Sequence, residues 1–263
     1  MTGHSCSQVM APVLCAKNRP LTKIALLSDY FVILSVLSLI GMYISSDFSR
    51  LEIDLGGCLE NYKYFRSMLK DSTRLLVLVK ANAYGHGAVQ FASVMEKAGA
   101  NYLAVAYPVE GIELRQAGIK SPIMVLTAGT DSFGGIVSYG LEPGIPNMYA
   151  LRILCDVLEE RGVTDYPIHI KLDTGMHRLG FMTDELPELM DFLKTCKAVK
   201  VKSVYSHLAA SDDPDCDEFT LGQIRLFKEN ADALTESLGY KPLYHILNSA
   251  GIERFPEYQF DMV

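Results

Sequence analysis

The chain has 263 residues, 49% of them hydrophobic and 21% charged. This excludes a disordered polymer and allows one large domain, or two small ones, with a substantial core. A formal net charge of −7 excludes the basic surface of a nucleic-acid binder. The charge is uneven, +2 over residues 1–50 and −9 over the remainder, so the two parts differ in character.

Residues 1–48 read as a hydrophobic N-terminal extension. Ile24 to Ser46 is apolar apart from Asp29, and the uncharged run from Tyr30 to Ser46 is 17 residues long, the lower edge of what spans a bilayer. Lys17, Arg19 and Lys23 precede it, as basic residues precede an export signal or a membrane anchor. Against this, a buried aspartate costs about 2.5–3.5 kcal/mol in a span, and no A-x-A site follows. The reading stays divided between a membrane segment over residues 24–46 and an accessory leader.

From residue 49 onward the pattern is that of one domain. Leu51–Asp54 and a helical stripe of Cys58, Tyr62, Phe65 and Leu69 come first. Leu75–Val79 is a buried-strand run, and Ala88, Phe91, Ala92 and Met95 then mark one helix face. Tyr102–Ala106 is the next strand, followed by a helix over Val109–Ala117 that stops at Gly118. Ile123–Leu126 and Leu141–Ile145 are strands, and Leu151, Leu154, Cys155 and Leu158 form a stripe. Ile168–Leu172 is a strand, and Leu186, Leu189, Met190 and Leu193 a stripe with Pro187 in the first turn. Val201–Ser206 is a strand; Ile224, Phe227, Ala231, Leu234 and Leu238 form a long stripe closed by Gly239. Leu243–Asn248 is a strand, and Phe260–Val263 starts another.

Strands alternating with helices imply a parallel sheet with right-handed crossovers. Seven strands and the start of an eighth predict an α/β fold of the (β/α)8 TIM-barrel type, incomplete at the eighth strand. A doubly wound sheet is the alternative, weakened because no GxGxxG follows a strand. In barrels the chemistry sits where strands end, and four strand ends carry polar clusters.

The first is Val79-Lys80-Ala81-Asn82-Ala83-Tyr84-Gly85-His86-Gly87. Burial at a strand end lowers a lysine pKa, and a neutral amine is what a Schiff base with an aldehyde cofactor requires. The glycines let backbone amides approach an anion before a helix starts. The residues alone leave open a snorkelling surface lysine beside a Gly-rich turn. The second cluster, Lys171-Leu172-Asp173-Thr174-Gly175-Met176-His177-Arg178-Leu179-Gly180, sets cations about a turn. The third is Tyr205-Ser206-His207 and the fourth His245-Ile246-Leu247-Asn248-Ser249-Ala250-Gly251. The acidic loop Ser211–Glu218 lacks EF-hand spacing and reads as solvated. No metal site is expected. His169 reads as packed, and His245 as structural. The six cysteines form no CxxC pair and read as reduced thiols of a cytoplasmic protein.

VKANAYGHG resembles the cofactor-lysine segment of the alanine racemases, and the Lys171 cluster is similar to their KxDTGMxRxG element. The resemblance covers about residues 50–263 and implies the N-terminal pyridoxal-phosphate barrel of that family, an isomerase interconverting L- and D-alanine for peptidoglycan. It implies that Lys80 holds pyridoxal 5'-phosphate as a Schiff base and is the base on one substrate face, while Tyr84 touches the phosphate. Arg178 inherits contacts to the cofactor's phenolic oxygen and the substrate carboxylate, for which a planar guanidinium fork is suited. Lys171 matches a substrate-side lysine that is often carbamylated in the family, and a carbamate there would orient Arg178. His207 falls near the pyridine ring, Ser249 matches the phosphate serine and Asn248 a neighbouring site residue. The family form is a homodimer.

The resemblance also carries an expectation about Asp261-Met262-Val263. In the family this segment runs into an arginine at the pyridine nitrogen and then into a C-terminal β domain, which supplies the opposite-face tyrosine. Racemisation needs a proton removed from one face and returned on the other, so little or no activity is expected of this chain alone, and exposed strand edges are expected too. A serine or broad-specificity racemase of the same family, and a non-catalytic pyridoxal-phosphate barrel, are the alternatives.

Overall fold

The computed structural model describes residues 51–263. The extension 1–48, with its candidate membrane segment 24–46, lies outside the described residues. Among the described residues no helix is long and apolar enough to cross a membrane. Residues 58–263 form one compact unit.

After helix α1 (Leu55–Ser67), seven parallel strands follow one another around a curled sheet in chain order. They are β1 (Leu76–Leu78), β2 (Tyr102–Val105), β3 (Ile123–Val125), β4 (Glu142–Ile145), β5 (Tyr166–Lys171), β6 (Val199–Tyr205) and β7 (Leu243–His245). Helices α2 (Ala88–Lys97), α3 (Pro108–Gln116), α4 (Phe133–Ser138), α5 (Met148–Glu160), α6 (Leu186–Thr195) and α7 (Asp217–Leu238) fill the crossovers, and α8 (Ser249–Arg254) follows β7. Each connection returns the chain to the same end of the sheet, so all strand C-termini share one face.

The expected strand–helix alternation is present, with two differences. α4 carries Gly134 and Gly135 in a six-residue helix, too short to show a stripe. The seventh strand ends at His245 rather than Asn248, because Asn248 leaves the ladder to cap α8, accepting a hydrogen bond from the Gly251 amide at 2.9 Å.

The eighth position is occupied at its lower end by Asp261–Val263. The amides of Asp261 and Met262 donate to Tyr244 O at 3.2 and 3.1 Å on the β7 side. On the β1 side, Arg74 N donates to Asp261 O, Val263 N to Arg74 O and Leu76 N to Val263 O, at 2.9–3.0 Å. The expected open edges of β1 and β7 are thus bonded over this stretch, and the sheet closes on itself there.

Strand side chains alternate between two environments. Leu103, Val105, Ile123, Val125, Ile168, Ile170, Val201 and Val204 join the core packed under the helices. Inside the barrel, Ala104, Met124 and Tyr205 form a separate cluster with Leu76, Leu78 and Leu126. The β4–β7 half of the interior is polar, with Glu142, His169, Lys171, Ser203 and His245 at alternate positions. Branched apolar side chains dominate the usual barrel interior, so this polar half requires an explanation.

Candidate active site

Lys80 lies one residue beyond the end of β1, after Val79, and starts a left-handed turn. Ala81, Asn82, Ala83 and Tyr84 all have φ of 52–55°. Four successive non-glycine residues in this region cost roughly 1–2 kcal/mol each, so the turn must be held by its surroundings. Ala83 N donates to Val79 O at 2.8 Å, and Gly85 and Gly87, both at positive φ, return amides to Asn82 O at 3.0 Å. The Asn82 side chain accepts from Ala88 N at 2.7 Å and so fixes the start of α2. The His86 ring bonds Ala83 O at 2.7 Å, a structural use of a residue to which the sequence assigned none.

Glu110 on α3 is the external clamp. Its Oε1 accepts from Ala81 N at 2.6 Å, and its Oε2 accepts from Ala106 N and Tyr107 N at 2.8 and 2.9 Å. One carboxylate thus ties the lysine turn to the end of β2. No motif flagged Glu110; its place in the first turn of a helix opened by Pro108 is the only sequence signal.

The Lys171 segment forms a second built loop. Phe181 N donates to Lys171 O and Asp173 N to Phe181 O, at 2.8 and 2.9 Å, so the chain returns to its own start. Asp173 Oδ1 accepts from the amides of Gly175 and His177, both at 3.0 Å, and its Oδ2 lies 3.6 Å from His177 Nδ1. Burial pushes the Asp173 carboxyl up, but these bonds with the His177 and Lys171 charges outweigh it and hold it below the usual range. Gly180 is obligatory: its φ is +131°, and a Cβ there would meet Asp173 N and Leu172 C at 2.6 Å.

These loops bring four nitrogen groups into one electrostatic neighbourhood. Lys171 is buried, and its pKa is lowered by burial, then by Arg178, and also by Lys80. His207, at the end of β6, is pushed down to about 4, first by burial and then by Lys171, Arg178 and Lys80. Its ring is therefore neutral at pH 7. The Lys80 ammonium lies 5.8 Å from the Tyr84 ring centroid, and that of Lys171 lies 5.7 Å from the Tyr205 ring. On the adjacent strand end, Asn248 and the exposed Ser249 open α8. Asn248 is committed to capping and to Ser211 Oγ, 2.7 Å away, so its side chain positions the helix start. The SDDPDCDE loop is spent locally: Asp213 accepts from Asp215 N at 3.0 Å, and Asp217 pairs with Arg254 at 2.7 Å.

Beneath the cations lies a chain of polar groups. Tyr102 OH and His169 Nε2–H both donate to Glu142 Oε2, at 3.2 and 2.9 Å. His169 Nδ1 lies 2.7 Å from Ser203 Oγ, which lies 3.0 Å from His245 Nε2. The single Ser203 proton makes that hydroxyl a donor to one imidazole and an acceptor from the other. His245 is held neutral, its pKa pushed down to about 3 by burial and then by His169. It stacks on the Tyr205 ring at 5.1 Å and 9°. The Tyr205 hydroxyl is buried without a hydrogen-bond partner among the described residues, and a Cβ on Gly144 would sit 2.5 Å from it. This chain supports the aromatic floor under Lys171.

Taken as a donor set, Lys80, Lys171, Arg178 and His207 are rich in positive charge and N–H groups, with Asp173 the one acid among the described residues that acts on the Lys171 charge. This suits an anionic ligand with a reactive carbonyl, as the expected aldehyde phosphate is.

Comparison with known proteins gives the family. Residues 53–263 match the family model described as "Alanine racemase, N-terminal domain". An alanine racemase of Nostoc sp. is 39% identical over 217 residues, covering 81% of this chain and 56% of that protein. One of Geobacillus stearothermophilus is 34% identical over 229 residues, covering 83% and 56%. Among solved structures, the alanine racemase of a D-cycloserine-producing Streptomyces lavendulae superposes with a TM-score of 0.76 at 31% identity, covering 80% of this chain and 56% of that one. The chain therefore spans a little over half the length of these relatives. By family match, sequence identity and fold, it belongs to the alanine racemase N-terminal domain family.

Proposed function

We propose that this chain is the pyridoxal-phosphate barrel of an alanine racemase, acting on L- and D-alanine and serving the supply of D-alanine to peptidoglycan. The observation that carries the reading is the convergence of Lys80, Lys171, Arg178 and His207 at the strand ends.

Pyridoxal phosphate, when bound, supplies an electron sink for charge developing at the substrate Cα. Lys80 holds the cofactor and moves the Cα proton on one face. Arg178 presents its fork to the substrate carboxylate and the cofactor's phenolic oxygen. Tyr84 and Ser249 bind the phosphate, and the Asn248 cap aims the amides of α8 at it. Lys171 lies against the Tyr205 ring, where burial, and then the Arg178 charge, disfavour its own charge; carbamylation would convert it into an anionic partner able to orient Arg178. His207, neutral and half-buried, donates or accepts a hydrogen bond beside the pyridine ring without adding charge.

A homodimer completes the reading. Tyr84, Tyr107, Val109, Tyr149 and Phe219 are 42–70% exposed and all lie on loops or first turns at the strand C-termini, an apolar rim of the kind an interface covers. The opposite-face acid/base is assigned to none of the described residues.

The test is hydrogen exchange. The purified chain with pyridoxal phosphate and each enantiomer of alanine in D2O is expected to deuterate Cα of one enantiomer, in a Lys80-dependent manner, with little inversion. Serine is expected to exchange more slowly. No exchange with either enantiomer, or equal exchange by Lys80→Ala, would falsify the assignment.

A further inference from the structure

Two thiols outside the site meet although nothing in their spacing pairs them. Cys155 lies on the buried stripe of α5, and Cys196 follows the last turn of α6 as its extended cap. Their sulfurs are 3.4 Å apart, so closing by about 1.4 Å would bring them to bonding distance. Their accessibilities differ. Cys155 is 4% exposed, whereas Cys196 is half-buried and lines a groove of about 510 Å³ at the N-terminal ends of β5 and β6, beside Lys194 and Lys197. Burial, and then the neighbouring Cys196 sulfur, keep the Cys155 thiol protonated. A small oxidant thus meets Cys196 first, with Cys155 behind it as a resolving thiol.

We propose that Cys155 and Cys196 form a reversible oxidation site that takes small-molecule disulfides as its oxidant. The Cys196 thiolate attacks one sulfur of the disulfide, whose S–S bond breaks and releases one small thiolate. That thiolate accepts the Cys155 proton. The Cys155 thiolate then attacks Cys196 Sγ, expelling the second small thiolate, which takes up from solvent the proton that Cys196 released. Two protein thiols are oxidised and one disulfide is reduced to two thiols. The bridge ties α5 to the α6–β6 junction and closes a loop that contains β5 and the Lys171–Gly180 segment. Loop closure of this length raises the melting temperature by roughly 5–10 °C.

The test is equilibration of the purified chain in mixtures of reduced and oxidised glutathione, with acid quench, alkylation of free thiols and peptide mapping. The expected product is a peptide pair joining Cys155 to Cys196, two hydrogens lighter than the reduced pair and reopened by dithiothreitol. Cys155→Ser is expected to trap glutathione on Cys196, and Cys196→Ser to leave Cys155 unmodified. Oxidised protein is expected to melt above reduced protein, with the difference absent in Cys155→Ser. A bridge from Cys196 to any other cysteine, full alkylation of both thiols at an oxidising poise, or equal melting of the two forms would overturn the proposal.

Discussion

Glu110 and the left-handed turn it clamps show what a single side chain decides here. A glutamine keeps one acceptor oxygen but presents an amide NH2, so Glu110→Gln leaves Ala81 N, or the Ala106 and Tyr107 amides, facing a donor. The expected loss is about 1–3 kcal/mol in urea unfolding, with weaker pyridoxal-phosphate uptake; unchanged stability would show that the clamp is dispensable. Ala81→Gly runs the other way. Ala81 is exposed and holds φ of 52°, so glycine relieves about 1–2 kcal/mol of strain and adds about 0.4–1 kcal/mol of unfolded-chain entropy. A net gain of a few tenths to about 1 kcal/mol is expected, with a less ordered Lys80; a clear destabilisation would contradict the left-handed assignment. Gly144→Ala places a methyl against the Tyr205 hydroxyl and is expected to cost about 1–3 kcal/mol by overpacking. At this scale the resemblance to the alanine racemases named Lys80, Tyr84, Lys171, Arg178, His207, Asn248 and Ser249, because the strand-end segments that carry it are contiguous. Glu110 left only its place in a helix first turn, since its partners are backbone amides 3, 4 and 29 residues away.

At the scale of elements, strands and helices were legible wherever a stripe or an apolar run was long enough. α4 was not, with two glycines in six residues. Nor was the polar interior of β5–β7. His169 and His245 were read as packed and structural, which they are, but their connection depends on register. His169 pairs with Ser203 and Tyr205 with His245 across the ladders, and no single strand encodes that. The consequence is a pH dependence. His207 and His245 titrate at about 4 and about 3 instead of 6.5, so below pH 6.5 the unfolded chain binds protons that the folded chain refuses. Stability is therefore complete above about pH 6.5 and falls as pH drops toward 3–4, with each histidine contributing up to about 1.4 kcal/mol per pH unit. Urea midpoints between pH 7.5 and 5 are expected to fall with acid, and His207→Gln to flatten the slope. A midpoint that rises toward pH 5 would contradict buried neutral rings.

At the largest scale, among the described residues, seven parallel strands and a three-residue eighth position make a ring whose strand C-termini share one face. The alternation of elements predicted that ring. It did not predict that Asp261–Val263 bonds both β7 and β1, because closure depends on the curvature of the entire sheet. The ring is what turns four separate motifs into one positively charged mouth, and the central claim is that this mouth holds an aldehyde phosphate on Lys80. Borohydride reduction of the purified chain with pyridoxal phosphate, followed by peptide mapping, tests it most directly. The account predicts a single stable pyridoxyl label on Lys80, lost in Lys80→Ala and weakened in Arg178→Ala. Label on a different lysine, or none at saturating cofactor, would contradict it.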